Sequence, residues 1–185
     1  MRQLTIVYAL AVLVAAAVGW RGVARRLSAL QVAARVVLVL YVGWVIGATL
    51  FPIPLHWGVI SDGPATQSAP PNLVPFRTIR QTLALQGVWT RVRLLGGNVC
   101  VFVPFGLLMP LIFPRWASLR RMALAGLLFS LAIELSQLAV SLAVGSWYRM
   151  TDVDDVMLNV VGVLLGYALF RRFVAPTDRG QRFGT

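Results

Sequence analysis

The chain has 185 residues, of which 58% are apolar and only 12% charged, and its mean hydropathy is +0.78. That balance excludes a water-soluble globular domain and describes a membrane protein. The formal charge of +11 comes from 17 basic residues, all arginine, against six acids; in a membrane chain it is first a topology signal and then a hint of anionic head groups as partners, not of nucleic acid.

Backbone groups find no water in a bilayer core, so spans must be helices or strands of a closed barrel. The long apolar runs here lack the alternation, over about 10 residues per strand, that a barrel needs. The expected fold is therefore all-α, a polytopic helical bundle. Cys100 is the single cysteine, so no internal disulfide forms.

The first apolar run, Leu4 to Trp20, lies between Arg2 and the group Arg21, Arg25 and Arg26. It is expected to be a span, with a cleaved signal peptide as the competing reading. Ala15 and Ala17 offer cleavage-like spacing, but the charge balance lies on the wrong side for a signal. The second span is expected from about Val36 to Ile53, and its Gly43 and Gly47 form a small-residue face suited to close helix packing.

From Pro54 the character changes. Ser61 to Pro71 reads as an exposed loop, and His56 and Trp57 as interfacial residues. Phe76, Ile79 and Leu83 recur at helical spacing away from Arg77, Arg80 and Gln81, so Phe76 to Leu85 is expected to be a short amphipathic helix on the membrane surface. The third span, about Asn98 to Phe113, contains Pro104 and Pro110, which kink a helix and free carbonyls. The fourth runs from Met122 to Val144 and the fifth from about Asp155 to Val174.

Three arginine groups fall on one side of this five-span arrangement: residues 21, 25, 26 and 35; residues 115, 120 and 121; and residues 171, 172, 179 and 182. The positive-inside rule makes that side cytoplasmic, with the N-terminus outside and the C-terminus inside. Four of the six acids then cluster between Glu134 and Asp155. An ionisable group at membrane depth costs roughly 2.5–3.5 kcal/mol on insertion scales, so this stretch is the default functional site.

Helical spacing aligns Ser130, Glu134, Gln137 and Ser141 on the fourth span and Asp155, Asn159, Gly162 and Gly166 on the fifth. The two polar stripes are expected to face each other, with Gly162 and Gly166 letting those two helices approach closely and Asn98 closing the pocket.

These residues resemble the VanZ-like family. The resemblance is carried by Asn72 with Pro75-Phe76, Asn98 with Phe102-Val103-Pro104-Phe105-Gly106, Glu134 with Gln137, and Arg149 followed by Asp152, Asp154, Asp155, Asn159 and Gly162. It covers about Val36 to Phe170 in order. It implies a four-helix membrane domain, here residues 36–174, preceded by the first span and a basic cytoplasmic loop (residues 1–35) and followed by a cytoplasmic tail (175–185). The founding members are associated with teicoplanin resistance, and the wider superfamily is proposed to act on lipid head groups and lipid-linked cell-wall precursors.

The residues themselves permit several chemistries. Glu134, Asp152, Asp155 and Asn159 are the candidate catalytic group, with Glu134 as general acid or base. Arg149 and Arg77, with planar forks that match phosphate oxygens, join Asn98, Gln137 and Asn72 as candidate substrate ligands. The oxygens of Asp152, Asp155, Asn159, Asn98 and Glu134 would suit Mg²⁺ or Ca²⁺ if a metal binds. The competing structural account pairs Glu134 with Arg149 and uses the aspartates as caps on the fifth helix. Three classes remain open: an enzyme acting on phosphate-containing lipid head groups, a hydrolase or transferase; a non-catalytic module that binds lipid or antibiotic; and a small proton-coupled transporter.

Overall fold

The structure is a computed structural model, and it describes residues 2–51, 53, 70–145 and 149–175. Residues 61–69 of the expected loop Ser61 to Pro71 lie outside them, as do His56, Trp57, Arg179 and Arg182. Five helices are long and apolar enough to cross a membrane: α1 (Arg2–Ala24), α2 (Ala29–Leu50), a continuous helix Val88–Ile112, α6 (Leu119–Val144) and α7 (Val153–Phe173). A short surface helix, α3 (Arg77–Leu85), precedes the third span. The fold is the expected all-α membrane bundle.

The boundaries differ from the sequence expectation where local chemistry overrides hydropathy. Ser28 caps the first turn of α2 by accepting the Gln31 N–H, so the helix begins at Ala29 and Arg35 belongs to its second turn. The third span begins about three turns earlier than Asn98. Val88–Arg91 (α4) runs through a wide π turn at Val92–Gly96 into α5, Gly97–Ile112, so the Gly96-Gly97 pair loosens the helix without ending it.

The surface helix starts at Arg77, one residue later than expected. Phe76 lies outside it in a left-handed conformation, with φ 63°, and is exposed, as are Leu83 and Leu85. Thr82 is the buried residue of α3. Thr78 and Ile79 are half-buried beside it, while Leu83 and Leu85 look outward to the surroundings of the bundle.

Helix α7 is the central element. Gly162 and Gly166 pack against α5, not against α6 as expected from the sequence: a Cβ at Gly162 would collide with the Val99 carbonyl, and one at Gly166 with the Val103 carbonyl. Gly106 on α5 meets the Val163 carbonyl in return, so two helix backbones touch along three glycines. On the α6 side Gly126 accommodates Val163, and Phe129 stacks on Phe105 with ring centroids 4.9 Å apart. The buried core joins Val45, Phe102, Phe105, Met122, Ile133, Val163 and Tyr167, all from α2, α5, α6 and α7.

Helix α1 lies outside this four-helix core. It packs along α2, with Ala11 filling the space over Gly43 and the Tyr8 ring that over Gly47, so the small-residue face does serve packing. A reciprocal pair closes its far end: Gln3 Nε2 donates to the Ile53 carbonyl at 3.0 Å, and the Ile53 N–H donates to Gln3 Oε1 at 2.7 Å.

Candidate functional site

The site forms because the chain re-enters the bundle before α7. Arg149 lies beside Ser141, with its N–H 3.5 Å from Ser141 Oγ. Thr151 Oγ1 donates to the Glu134 carbonyl at 3.4 Å, and the Asp152 N–H donates to Glu134 Oε2 at 3.0 Å. Residues 149–152 thus descend along α6, and α7 starts beside Glu134, ten residues and about 15 Å below the end of α6 at Val144. Non-helical backbone at such a depth needs every polar group satisfied within the protein.

Asn72 supplies much of that satisfaction. Its N–H donates to the Thr151 carbonyl at 2.8 Å and its carbonyl accepts the Val153 N–H at 3.0 Å, a single parallel bridge to Asp152. Its side-chain amide donates to Asp152 Oδ1 at 2.8 Å and to Thr78 Oγ1 at 3.1 Å, while that hydroxyl donates to Asp152 Oδ2 at 2.5 Å. Asp152 also caps α7 by accepting the Asp154 N–H at 2.9 Å. Both oxygens of Asp152 are engaged, and the residue is 1% exposed.

Asp154, fully buried, performs a role that residue spacing does not reveal. Its Oδ1 accepts the Phe76 N–H at 2.5 Å and its Oδ2 the Ile79 N–H at 3.1 Å, so a carboxylate on α7 caps the N-terminus of α3. No side chain in α3 caps its own first turn. An anion at that position also complements the positive end of the helix dipole.

The remaining candidates spread outward from this knot. Asn98 Nδ2 donates a short hydrogen bond to Asp155 Oδ1, joining α5 to α7. Asn159 Nδ2 donates to Ser130 Oγ at 2.8 Å, joining α7 to α6 one turn below Glu134. Asn159 Oδ1 is buried and accepts no hydrogen bond from the described residues. Gln137 Nε2 donates to the Thr49 carbonyl at 3.1 Å, and Arg149 Nη2 reaches the carbonyls of Ala48 and Phe51, both 3.3 Å away, so these two side chains hold the end of α2.

The two polar stripes therefore do meet. Ser130, Glu134, Gln137 and Ser141 are all buried, as is Asn159, and Glu134, Asp152 and Asp155 share one electrostatic neighbourhood. The aspartates act as caps, as the structural account expected, but on two helices. The described partner of the Glu134 carboxylate is the Asp152 N–H.

Arg77 stands apart from the buried acids. It lies with Asn72, Thr78, Gln81, Gln86 and Met150 around a cleft of about 320 Å³ between α3 and the start of the third span. Asn72 and Thr78 link this cleft to Asp152. Thr78, Ser130 and Thr49 complete the network as partners of the candidates. Only Ser130 had a sequence signal, its place in the α6 stripe.

The oxygens expected to suit Mg²⁺ or Ca²⁺ do not assemble into one cage. Those of Asp152 are taken by an amide, a hydroxyl and a backbone N–H, and Asp155 is held by Asn98. Among the described residues no three His, Cys, Asp or Glu side chains converge as metal ligands.

Five apolar helices, four of them packed around a buried acid–amide knot, define a multi-pass α-helical membrane protein with a polar centre inside its core. A family model described as VanZ/LLP1 matches residues 38–174, which takes in α2 from Leu38 onward, the other three core helices and every residue of the knot. The chain belongs to this family. Neither a curated protein nor a solved structure matches it.

Proposed function

We propose that this VanZ-family protein captures the phosphate-bearing head group of a lipid or lipid-linked cell-wall precursor at the outer leaflet of a bacterial cytoplasmic membrane, and in doing so contributes to glycopeptide tolerance. The observation that carries the reading is the cleft beside α3, where Arg77 stands over Asn72 and Thr78 and these two lead directly to Asp152 and Glu134. A guanidinium at the mouth suits phosphate oxygens. The apolar residues that α3 turns outward suit a helix lying against lipid.

In this reading Arg77 binds the phosphate and Arg149 holds the α2 end close by, while Asn72 and Asp152 position the wall of the cleft. Glu134 is the acid/base group, supported by Asp155 with Asn98 and by Asn159, and Gln137 keeps α2 against α6. Reaction at the head group is then a hydrolysis or transfer.

A second reading has its own support. Both oxygens of Asp152 and both of Asp154 are committed to structural hydrogen bonds, which favours a module that binds without chemistry. Glu134→Gln separates the two. It keeps volume and hydrogen-bonding capacity while removing the titratable proton, so a reacting Glu134 predicts a variant at normal abundance that no longer changes the lipid-linked species seen when membranes with and without the protein are compared. Unchanged lipid profiles at equal abundance would assign Glu134 to architecture and leave the binding module.

A further inference from the structure

We propose a second anion site at the opposite end of the bundle, where Arg21 of α1, Arg25 in the turn just past it and Arg35 of α2 hold the phosphate of an anionic phospholipid whose chain lies along Val18, Leu38 and Ile112. These residues surround a cavity of about 310 Å³ between α1, α2 and the end of α5. Small-molecule sites start at about 300 Å³, so the space accommodates a head group and the first part of a chain. It is distinct from the cleft beside α3. The cavity lies at the C-terminal end of α1, whereas the Glu134 knot lies at the N-terminal end of α7, a full span away.

The local backbone builds this cavity. Arg21 and Arg25 are one turn apart at the end of α1, and Gly22 between them is buried against Val32, which brings α1 and α2 together beneath the arginines. The connection is tight: the Leu27 N–H returns to the Gly22 carbonyl at 3.1 Å and the Arg26 N–H to the Val23 carbonyl at 2.9 Å. Arg26 takes φ 54° to make that turn, a conformation that glycine would adopt more readily. Leu27, just past it, joins the cavity wall.

Among the described residues no acid pairs with these charges. Arg35 donates one hydrogen bond, Nη1 to the Gln31 carbonyl at 3.1 Å, which steadies its guanidinium. Among the described residues Arg21 and Arg25 have no side-chain partner, and the four described acids are committed to the other end of the bundle. Three guanidinium groups over mostly apolar walls, at the level where spans end, match a phosphodiester attached to hydrocarbon. Arg21, Arg25 and Arg35 precede residue 38, so the three charges lie outside the span of the family match, while the apolar wall at Leu38, Val39 and Ile112 lies within it.

The test uses the full chain in detergent, with native mass spectrometry counting bound phosphatidylglycerol against phosphatidylcholine. The wild type is expected to retain phosphatidylglycerol selectively. The R21Q/R25Q/R35Q variant is expected to lose at least tenfold in affinity, about 1.4 kcal/mol, whereas R120Q/R121Q/R172Q, with the same loss of charge on the same side, keeps it. V39W fills the cavity without touching an arginine and is expected to weaken binding as well, which guards against a folding defect in the triple variant. Equal loss in both triple variants would reduce the effect to general surface charge and overturn the proposal. So would equal retention of phosphatidylcholine, full binding by V39W, or competition by millimolar inorganic phosphate, which would make the ligand a soluble anion.

Discussion

Asp154 shows how one side chain can support an element distant in sequence. It receives two backbone N–H groups from the first turn of α3, which has no cap of its own, and it does so from a fully buried position at the start of α7. Asp154→Ala should therefore release α3 more than it disturbs the bundle. A lost helix cap costs about 0.5–2 kcal/mol, so hydrogen exchange at Phe76–Ile79 should accelerate by roughly one order of magnitude while α7 beyond its first turn stays protected. Asp154→Asn, which keeps one acceptor, should fall between the two. Equal protection of α3 in Asp154→Ala would mean that Thr78 and Thr82 hold the helix without the carboxylate.

Among the elements, α7 carries the closest packing. It meets α5 backbone against backbone, whereas α2 meets α1 backbone against side chain. This difference orders the outcomes of two conservative substitutions. Gly166→Ala drives a methyl into the Val103 carbonyl, which cannot move without shifting α5, and overpacking of this kind costs about 1–3 kcal/mol. Gly43→Ala meets the Cβ of Ala11 on the peripheral helix, which can slide away. Thermal denaturation in detergent should show a clear fall for Gly166→Ala and a smaller one for Gly43→Ala, and only the former should break the hydrogen bond between Asn98 and Asp155. A larger fall for Gly43→Ala would make α1 part of the stabilising core.

At the scale of the whole molecule, the distribution of arginines sets the proposed orientation. Residues 21, 25, 26, 35, 115, 120, 121, 171 and 172 lie at the end of the bundle opposite the acid knot, and the positive-inside rule puts that end in the cytoplasm. Single cysteines at Gln86 and at Ala117, in a Cys100→Ser background because Cys100 is exposed, should report the two sides. A membrane-impermeant thiol reagent is expected to label Gln86→Cys in intact cells and Ala117→Cys only after permeabilisation. The reverse pattern would move the α3 cleft to the cytoplasmic leaflet, and with it the choice of head group.

The membrane class, the five spans and the alignment of Ser130, Glu134, Gln137 and Ser141 were all legible in the sequence, because hydropathy and helical period are local properties. So was the clustering of four acids, since polar groups in apolar surroundings stand out without any coordinates. The partners of those groups were not legible. Gly162 and Gly166 carry no label saying which neighbour they admit, and only packing assigned them to α5. The period of Phe76 to Leu85 gives an amphipathic helix but does not say which side chain meets the bundle, and packing turns Thr82 inward. Asp152 and Asp154 differ by two positions and look alike in the sequence; the re-entry of residues 149–152 separates them, giving one to Asn72 and Thr78 and the other to the end of α3. Each is decided by contacts between segments far apart in the chain, and a pattern read along one segment holds no information about which surface will lie against it.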